Sequence, residues 1–379
     1  MIQKIFDRCC GCGACEAACP VGAIALTADA NGFYKPQVND QCIHCGACLK
    51  ACPVEKPPVG EVPKAFYACA GTPERVMISS SGGVFSFLAE KVLEQGGAVF
   101  GCGWENGVPR HQLAEDPETL RAFYGSKYAQ SNMSGIFKEV KHQLQAGRKT
   151  LFSGTPCQVA GLRRFLKKDY ENLVAVDFIC HGVPSPKVLR KHLSELEQKR
   201  GSKVKDLTFR DKTKGWQELQ LTVWFEDGSE YTCPAADDPY YHGFLCNLSL
   251  NKICGECPFN VLPRSADITL GDFWRVERHH QGFDENRGVS CAVINSAKGA
   301  DLFQSVEDDL KVVESSQKDI MDGNPFLNGH CKLHKRREKF FQKLDSQPLD
   351  ALTKACLKPT KLEWAMEILA YKLGRNKHG

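Results

Sequence analysis

Apolar and polar positions change rhythm along the chain, and each change marks a different kind of structure. Residues 64–70 read as a strand. After a Ser/Gly turn at 79–83, Phe85, Leu88 and Val92 recur at helical spacing until Gly96 and Gly97 stop the helix. Residues 98–102 read as a buried strand, 136–146 as a helix, 150–153 as a strand, 159–168 as a helix, 173–180 as an apolar strand and 187–199 as a helix. This alternation predicts a sheet with helices on its faces. From about residue 204 the texture turns to strands. Leu219, Leu221, Val223 and Phe225 alternate with Gln220, Thr222 and Trp224, the period of a half-buried antiparallel strand, and Asp227-Gly228 is a hairpin turn leading to a partner at 229–233. A short helix at 239–247 and strands at 267–273 and 289–295 follow. In the tail, Leu362, Met366, Leu369 and Leu373 form one helical stripe, with Lys372, Arg375 and Lys377 at its basic end. A stripe docked on the core with a solvated basic face accounts for both.

The first 60 residues follow neither rhythm and are ordered by cysteine instead. Cys9, Cys12, Cys15 and Cys19 before Pro20 form C-x2-C-x2-C-x3-C-P, and Cys42, Cys45, Cys48 and Cys52 before Pro53 repeat it. That spacing predicts two 4Fe-4S clusters whose fourth ligands are exchanged: Cys9, Cys12, Cys15 and Cys52 for one, Cys42, Cys45, Cys48 and Cys19 for the other. Structural zinc and a disulfide frame use neither the third cysteine nor the Cys-Pro pair. Cys10 fits neither set and reads as a small buried thiol. Residues 55–63 carry three prolines in nine positions and read as a linker. The chain therefore divides into a two-cluster ferredoxin domain at 1–60, a larger domain at 61–335 and a helical C-terminal extension at 336–379. The first two are expected to fold as independent units.

Composition excludes several classes. A hydrophobic fraction of 42% with 25% charged residues is that of a soluble globular protein. The net charge, 49 − 45 = +4, is too small on this length to imply a nucleic-acid partner. No apolar run approaches the roughly 18 residues of a membrane span. The first eight residues lack the apolar core of a signal peptide. Cluster ligands must be free thiolates, so the 20 cysteines point to a reducing, cytoplasmic setting rather than to disulfides.

The larger domain carries chemistry of its own. Cys157 follows a predicted strand in Gly-Thr-Pro-Cys-Gln, Cys180 ends the next strand in Cys-His-Gly, and Cys254 and Cys257 form a CxxC. Strand ends of a mostly parallel sheet collect ligands, so these four could hold a third cluster. The spacing leaves a second reading open, with ordinary buried cysteines and a zinc half-site at Cys254 and Cys257. Ser81, Gly82 and Gly83 precede a helix and offer either a phosphate seat or a plain N-cap. Lys127 lies between Tyr124 and Tyr128, and Arg210, Asp211 and Trp216, with Asp272, Phe273 and Trp274, set polar groups beside aromatics as a planar cofactor pocket needs.

Taken in order behind the cysteine repeat, Ser-Ser-Gly-Gly, Gly-Ser-Lys-Tyr, Gly-Thr-Pro-Cys-Gln, Cys-His-Gly, the CxxC and Asp-Ile-Thr-Leu-Gly-Asp-Phe-Trp resemble the β subunit family of coenzyme F420 hydrogenases and dehydrogenases, in its bacterial branch. The resemblance covers nearly the whole chain and fades after about Asn295. It implies an α+β/α/β chain: a ferredoxin-like domain, then a mixed-sheet α/β flavin domain. It further implies FAD lined by Ser81, Gly82, Gly83, Lys127 and Thr155, with Lys127 the residue acting on the flavin, and a third 4Fe-4S cluster on Cys157, Cys180, Cys254 and Cys257. The implied partners are ferredoxin or another redox protein, and a deazaflavin such as coenzyme F420 or another organic hydride donor or acceptor. The family includes hydroxymethyl chlorophyll reductases, so the fold does not fix the substrate. Arg275 departs from the glycine that many bacterial relatives carry. Two other functions stay open: an electron-transfer subunit of a larger redox complex without its own substrate turnover, and an iron-sulfur redox sensor.

Overall fold

The computed structural model describes residues 2–359. The predicted stripe of Leu362, Met366, Leu369 and Leu373 and the basic residues Lys372, Arg375 and Lys377 lie outside them. Within the C-terminal extension, Arg337–Lys343 and Leu349–Leu357 are helical.

In the cysteine repeat, β1 (Ile24–Ala28) and β2 (Tyr34–Val38) pair antiparallel, Ile24 opposite Val38. Short helices Ala14–Ala17 and Ala47–Ala51 each follow a left-handed glycine, Gly13 at φ 85° and Gly46 at φ 73°. A side chain with a Cβ resists that conformation, so these glycines let each chain segment reverse between its second and third cysteines.

The larger region is built on β3 (Ala65–Ala70), β4 (Ala98–Glu105), β5 (Val108–Ala114), β6 (Thr150–Ser153) and β7 (Leu173–Phe178). A separate three-stranded sheet follows, β8 (Val204–Thr208), β9 (Gln220–Phe225) and β10 (Glu230–Pro234). The chain then returns to the main sheet with β11 (Ile268–Asp272), β12 (Ser290–Ile294) and β13 (Lys311–Glu314). The eight main strands lie in the order β13-β3-β12-β11-β7-β6-β4-β5. β11, β7, β6 and β4 are parallel, and the outer strands pair antiparallel. This is the expected mixed α/β sheet. Its edges, β5 and β13, escape the sequence pattern: β5 contains Pro109, which an edge strand tolerates, and β13 is short. β9 was read as half-buried, yet five of its six residues are buried, because helices at Pro186–Arg200 and Pro239–Leu245 join it in one apolar cluster.

Alternation along the central strands divides the core. Val99, Leu151, Val174 and Val176 join Val84, Leu88, Val92 and Leu302 on one face. Ala98, Phe100, Phe152 and Ala175 join Phe137, Val140, Val159 and Leu162 on the other. That second cluster continues without a break into Ile5, Ile24, Leu26 and Val54 of the cysteine repeat. Polar contacts reinforce the junction: Tyr34 N donates to Gln130 Oε1 at 2.7 Å, Gln130 Nε2 to Cys10 O at 3.1 Å, and Asn251 Nδ2 to Cys9 O at 3.3 Å. The expectation of two independent units therefore needs correction, because the repeat shares its core with the large sheet. A proline-rich stretch reports local backbone stiffness; it does not report which faces pack against each other.

Candidate functional site

The repeat's cysteines gather in two clefts. Cys9, Cys12, Cys15 and Cys52 line one, with Ile5, Leu26 and Val54. Cys42, Cys45, Cys48 and Cys19 line the other, with Val21 and Ile43. The structure thus brings together the exchanged sets that the spacing predicts. Burial, and next the neighbouring Cys12, push the Cys9 thiol up to about 12, and burial pushes Cys52 up to about 11. Uncompensated thiolates would repel one another here, so the soft donor set suits a multi-iron cationic group. Backbone N–H groups already point at sulfur, from Gly11 to Cys9 at 3.4 Å and from Ala23 to Cys19 at 3.2 Å. Among the described residues no three His, Cys, Asp or Glu groups are gathered to hold a single metal ion; in a 4Fe-4S cluster each thiolate binds its own iron. The two clefts differ in access, since the first has all four cysteines buried and in the second Cys45 is exposed.

The four remaining candidates come from separate elements. Helix Pro156–Leu166 starts earlier than its apolar period suggests, with Pro156 in its first turn, and carries Cys157 there. Cys180 lies two residues beyond β7, and Cys254 and Cys257 lie in and after the 3-10 turn Lys252–Glu256. Their thiols act on one another: Cys180 is raised well above the usual range by burial and then by Cys254, Cys157 and Cys257. Cys257 is pushed up to about 11 by burial and then by Cys157. Val183 N points at Cys254 Sγ at 3.5 Å. Cys331, which no spacing motif singles out, is buried beside this set and directs its Sγ to Cys254 O at 3.6 Å.

A cavity of about 570 Å³ opens at the C-terminal ends of the parallel strands, lined by Ser153 of β6 and Gly154 after it, Ile179 and Cys180 after β7, and Gly271 and Asp272 of β11. Its size is that of a cofactor pocket, and strand ends of an open α/β sheet are where such pockets form. Ser81, Gly83, Lys127, Thr155, Cys157 and Cys180 all line it. Gly82 does not. It packs behind the wall, where a Cβ would meet Cys69 O at 2.3 Å, and its N–H bonds Ser290 Oγ at 2.9 Å. Gly83 caps helix Val84–Glu94 at φ 84°, a conformation that favours glycine.

The predicted polar residues have defined partners. Lys127 Nζ donates to the carbonyls of Ala122 (2.6 Å), Tyr124 (2.8 Å) and Gly125 (3.2 Å). Its charge is fixed in the wall, and desolvation lowers its pKa to about 8. Thr155 caps the Cys157 helix: its N–H meets Gln158 Oε1 at 2.8 Å and its Oγ1 lies 3.1 Å from Cys157 Sγ. Gln158 Nε2 continues to Ser131 Oγ at 2.9 Å, and Ser131 Oγ to His111 Nδ1 at 2.9 Å. His111 Nε2 faces the Ser153 carbonyl at 3.0 Å. A carbonyl only accepts, so Nε2 carries the proton and Nδ1 accepts from Ser131. Desolvation lowers the His111 pKa to about 4, which keeps the ring neutral. Sequence reading missed this network, because a single histidine on an unrecognised edge strand carries no signal.

The other end of the cavity is aromatic and ionic. Arg210 Nη1 meets Asp272 Oδ2 at 2.9 Å, and the Arg210 guanidinium sits 5.3 Å from the Trp274 ring. Trp216 stacks on Trp274 with centroids 4.3 Å apart. Asp211 instead accepts from Thr222 Oγ1 at 2.6 Å, and Phe273 belongs to the core. Arg275 adopts φ 62°, the left-handed conformation that a glycine takes without cost.

Residues 147–319 match the family described as the C terminus of the coenzyme F420 hydrogenase/dehydrogenase beta subunit, and residues 8–56 match the 4Fe-4S dicluster domain. A curated relative, the F subunit of the F(420)H(2) dehydrogenase of Methanosarcina mazei, is 24% identical over 342 residues, spanning 81% of this chain and 85% of its own. A chain of the xenon-derivatised F420-reducing NiFe hydrogenase complex from Methanosarcina barkeri is 17% identical with a TM-score of 0.45, over 84% of this chain and 95% of that one. Among the described residues no helix is long and apolar enough to cross a membrane. By these matches residues 147–319 belong to the coenzyme F420 hydrogenase/dehydrogenase β subunit family, and they follow a 4Fe-4S dicluster domain in the same chain.

Proposed function

We propose that the chain is an iron-sulfur flavoprotein oxidoreductase, with FAD in the 570 Å³ cavity and a third 4Fe-4S cluster beside it. The observation that carries this reading is that one cavity is lined at once by the serine–glycine loop, by Lys127 and by Cys157 and Cys180. Bound there, a flavin would supply two-electron exchange with coenzyme F420 or another organic hydride donor or acceptor, and the clusters one-electron exchange. The N-terminus of helix Val84–Glu94, entered through Ser81 and Gly83, favours the anionic part of such a ligand. Trp274, Tyr241 and Phe244 give a planar group apolar walls. Cys157, Cys180, Cys254 and Cys257 would hold the third cluster. The exposed Cys45 and the 60% exposed Ile43 leave the second repeat site open to ferredoxin or another redox protein. The domain limits 1–60, 61–335 and 336–379 are kept as a division of labour within one packed body.

The test is cofactor analysis of anaerobically purified protein. About 12 iron atoms and about one FAD per chain are expected, with iron falling to about 8 in Cys157→Ala. Protein that binds no flavin and retains its iron would overturn the flavoprotein reading. One observation favours an alternative, since the curated relative is itself one subunit of a dehydrogenase: the chain could be an electron-transfer subunit whose substrate chemistry lies on another chain. Flavin reduction by an organic hydride donor in the isolated protein separates the two.

Lys127 gives a further expectation. A lysine lowered to about 8 carries its charge below that pH and loses it above. FAD affinity should therefore weaken by roughly tenfold as pH rises from about 7 to about 9, the effect of one partly buried charge worth about 1.4 kcal/mol. Lys127→Met should bind FAD with the weaker affinity at both values, as read by anaerobic fluorescence titration.

A further inference from the structure

Cys10 belongs to none of the three cysteine sets, yet it stands between two of them. It is 7% exposed, and it lines both the cleft of Cys9, Cys12, Cys15 and Cys52 and the large cavity. Cys12 lines that cleft beside it, and Cys157 lines that cavity beside it. The two neighbours are held close by a bare helix surface. Gly161 lies one turn beyond Cys157, and a Cβ there would come within 2.7 Å of Cys12 Sγ. Cys10 itself is fixed by the Gln130 Nε2 bond to its carbonyl at 3.1 Å. Gly11, which follows, adopts φ 73°.

A thiol carries one proton, and the sulfurs on either side can both accept once they are ligand thiolates. Cys10 can therefore serve only one of them at a time. A hydrogen bond to a ligand sulfur favours the more negative, reduced state of the group that it binds. We propose that Cys10 is a positioning residue: a single movable S–H donor shared between Cys12 and Cys157, linking the reduction of the metal sites that these two cysteines serve. This rests on the iron-sulfur reading above. The consequence is competitive. Reduction at one site draws the donor towards it and leaves the other without that bond.

The test uses the full-length protein with its clusters loaded anaerobically, followed by redox titration monitored by electron paramagnetic resonance with iron counted in each sample. In Cys10→Ala the clusters served by Cys12 and Cys157 should both become harder to reduce, by about tenfold in the reduction equilibrium or about 59 mV for one electron. Cys10→Ser keeps a donor and should stay near wild type. The site of Cys19, Cys42, Cys45 and Cys48 should not move in either variant. Potentials indifferent to Cys10 in a protein with three clusters would overturn the bridge alone. Equal shifts in the alanine and serine variants would overturn it too, and so would loss of about four irons in both, which would make Cys10 a ligand. A wild type without a third cluster overturns both the bridge and the reading beneath it.

Discussion

Removal of residues 1–60 is expected to leave a chain that does not form a soluble, cooperatively folded large unit. Ile5, Ile24, Leu26 and Val54 are each less than 9% exposed and share a cluster with Phe137, Val140, Ile253 and Phe259. Each large apolar side chain that loses its cover costs about 1.5–3 kcal/mol. Four such losses already approach the whole stability of a typical domain, about 5–15 kcal/mol. The polar ties from Gln130 and Asn251 to the backbone of Cys10 and Cys9 would also lose their acceptors. Near-ultraviolet circular dichroism and thermal unfolding of the 61–379 fragment are the measurements. A soluble fragment that melts cooperatively would show that the shared core is dispensable.

Arg264→Met is expected to be the most damaging single substitution, at about 3–5 kcal/mol, because it strands a buried carboxylate. Arg264 is 2% and Asp177 is 1% exposed. The guanidinium meets Asp177 Oδ2 at 3.4 Å and donates to the carbonyls of Phe326 (3.0 Å) and Leu327 (2.9 Å). Thr269 Oγ1 supplies Asp177 with a further bond at 2.5 Å. Burial raises the Asp177 pKa, and Arg264 opposes that rise. Without the arginine the folded-state value climbs further above the unfolded one. The folded state then holds the proton over a wider range, so the penalty is full above the folded-state pKa and is relieved as pH falls through it. Urea midpoints should therefore fall much more at pH 8 than at pH 5. Asp177→Leu added to Arg264→Met should recover part of the loss, and a loss independent of pH would sink the account.

The repeat and the central strands were legible because each rests on a short-range signal. Three-residue spacing fixes Cys9, Cys12 and Cys15 on one cleft, and runs such as Leu173 to Val176 announce a buried strand. What could not be read depends on pairs far apart in sequence that no local period encodes. Cys10 and Cys157 come to line one cavity, His111 meets Ser153, and Cys331 meets Cys254 only after the chain has folded. The edge strand β5 was lost to Pro109, and Gly82 looked like a ligand seat although its missing side chain is required by packing against Cys69. Lys127 was legible as a cation of the pocket, but not as one whose three protons are already spent on the turn at Ala122, Tyr124 and Gly125.

The continuous core has a consequence for how the chain is made. The repeat cysteines are synthesised before the large sheet, and the apolar cluster that encloses Cys12, Cys15 and Cys52 includes Phe137, Val159 and Phe259. At about 5–20 residues per second, the roughly 200 residues between the repeat and that last element take on the order of 10–40 s to appear. Through that interval Cys12, Cys15 and Cys52 lack the cover that the finished core gives them. The cleft of Cys9, Cys12, Cys15 and Cys52 is enclosed once the chain closes, whereas the other repeat site keeps Cys45 at the surface of the finished protein.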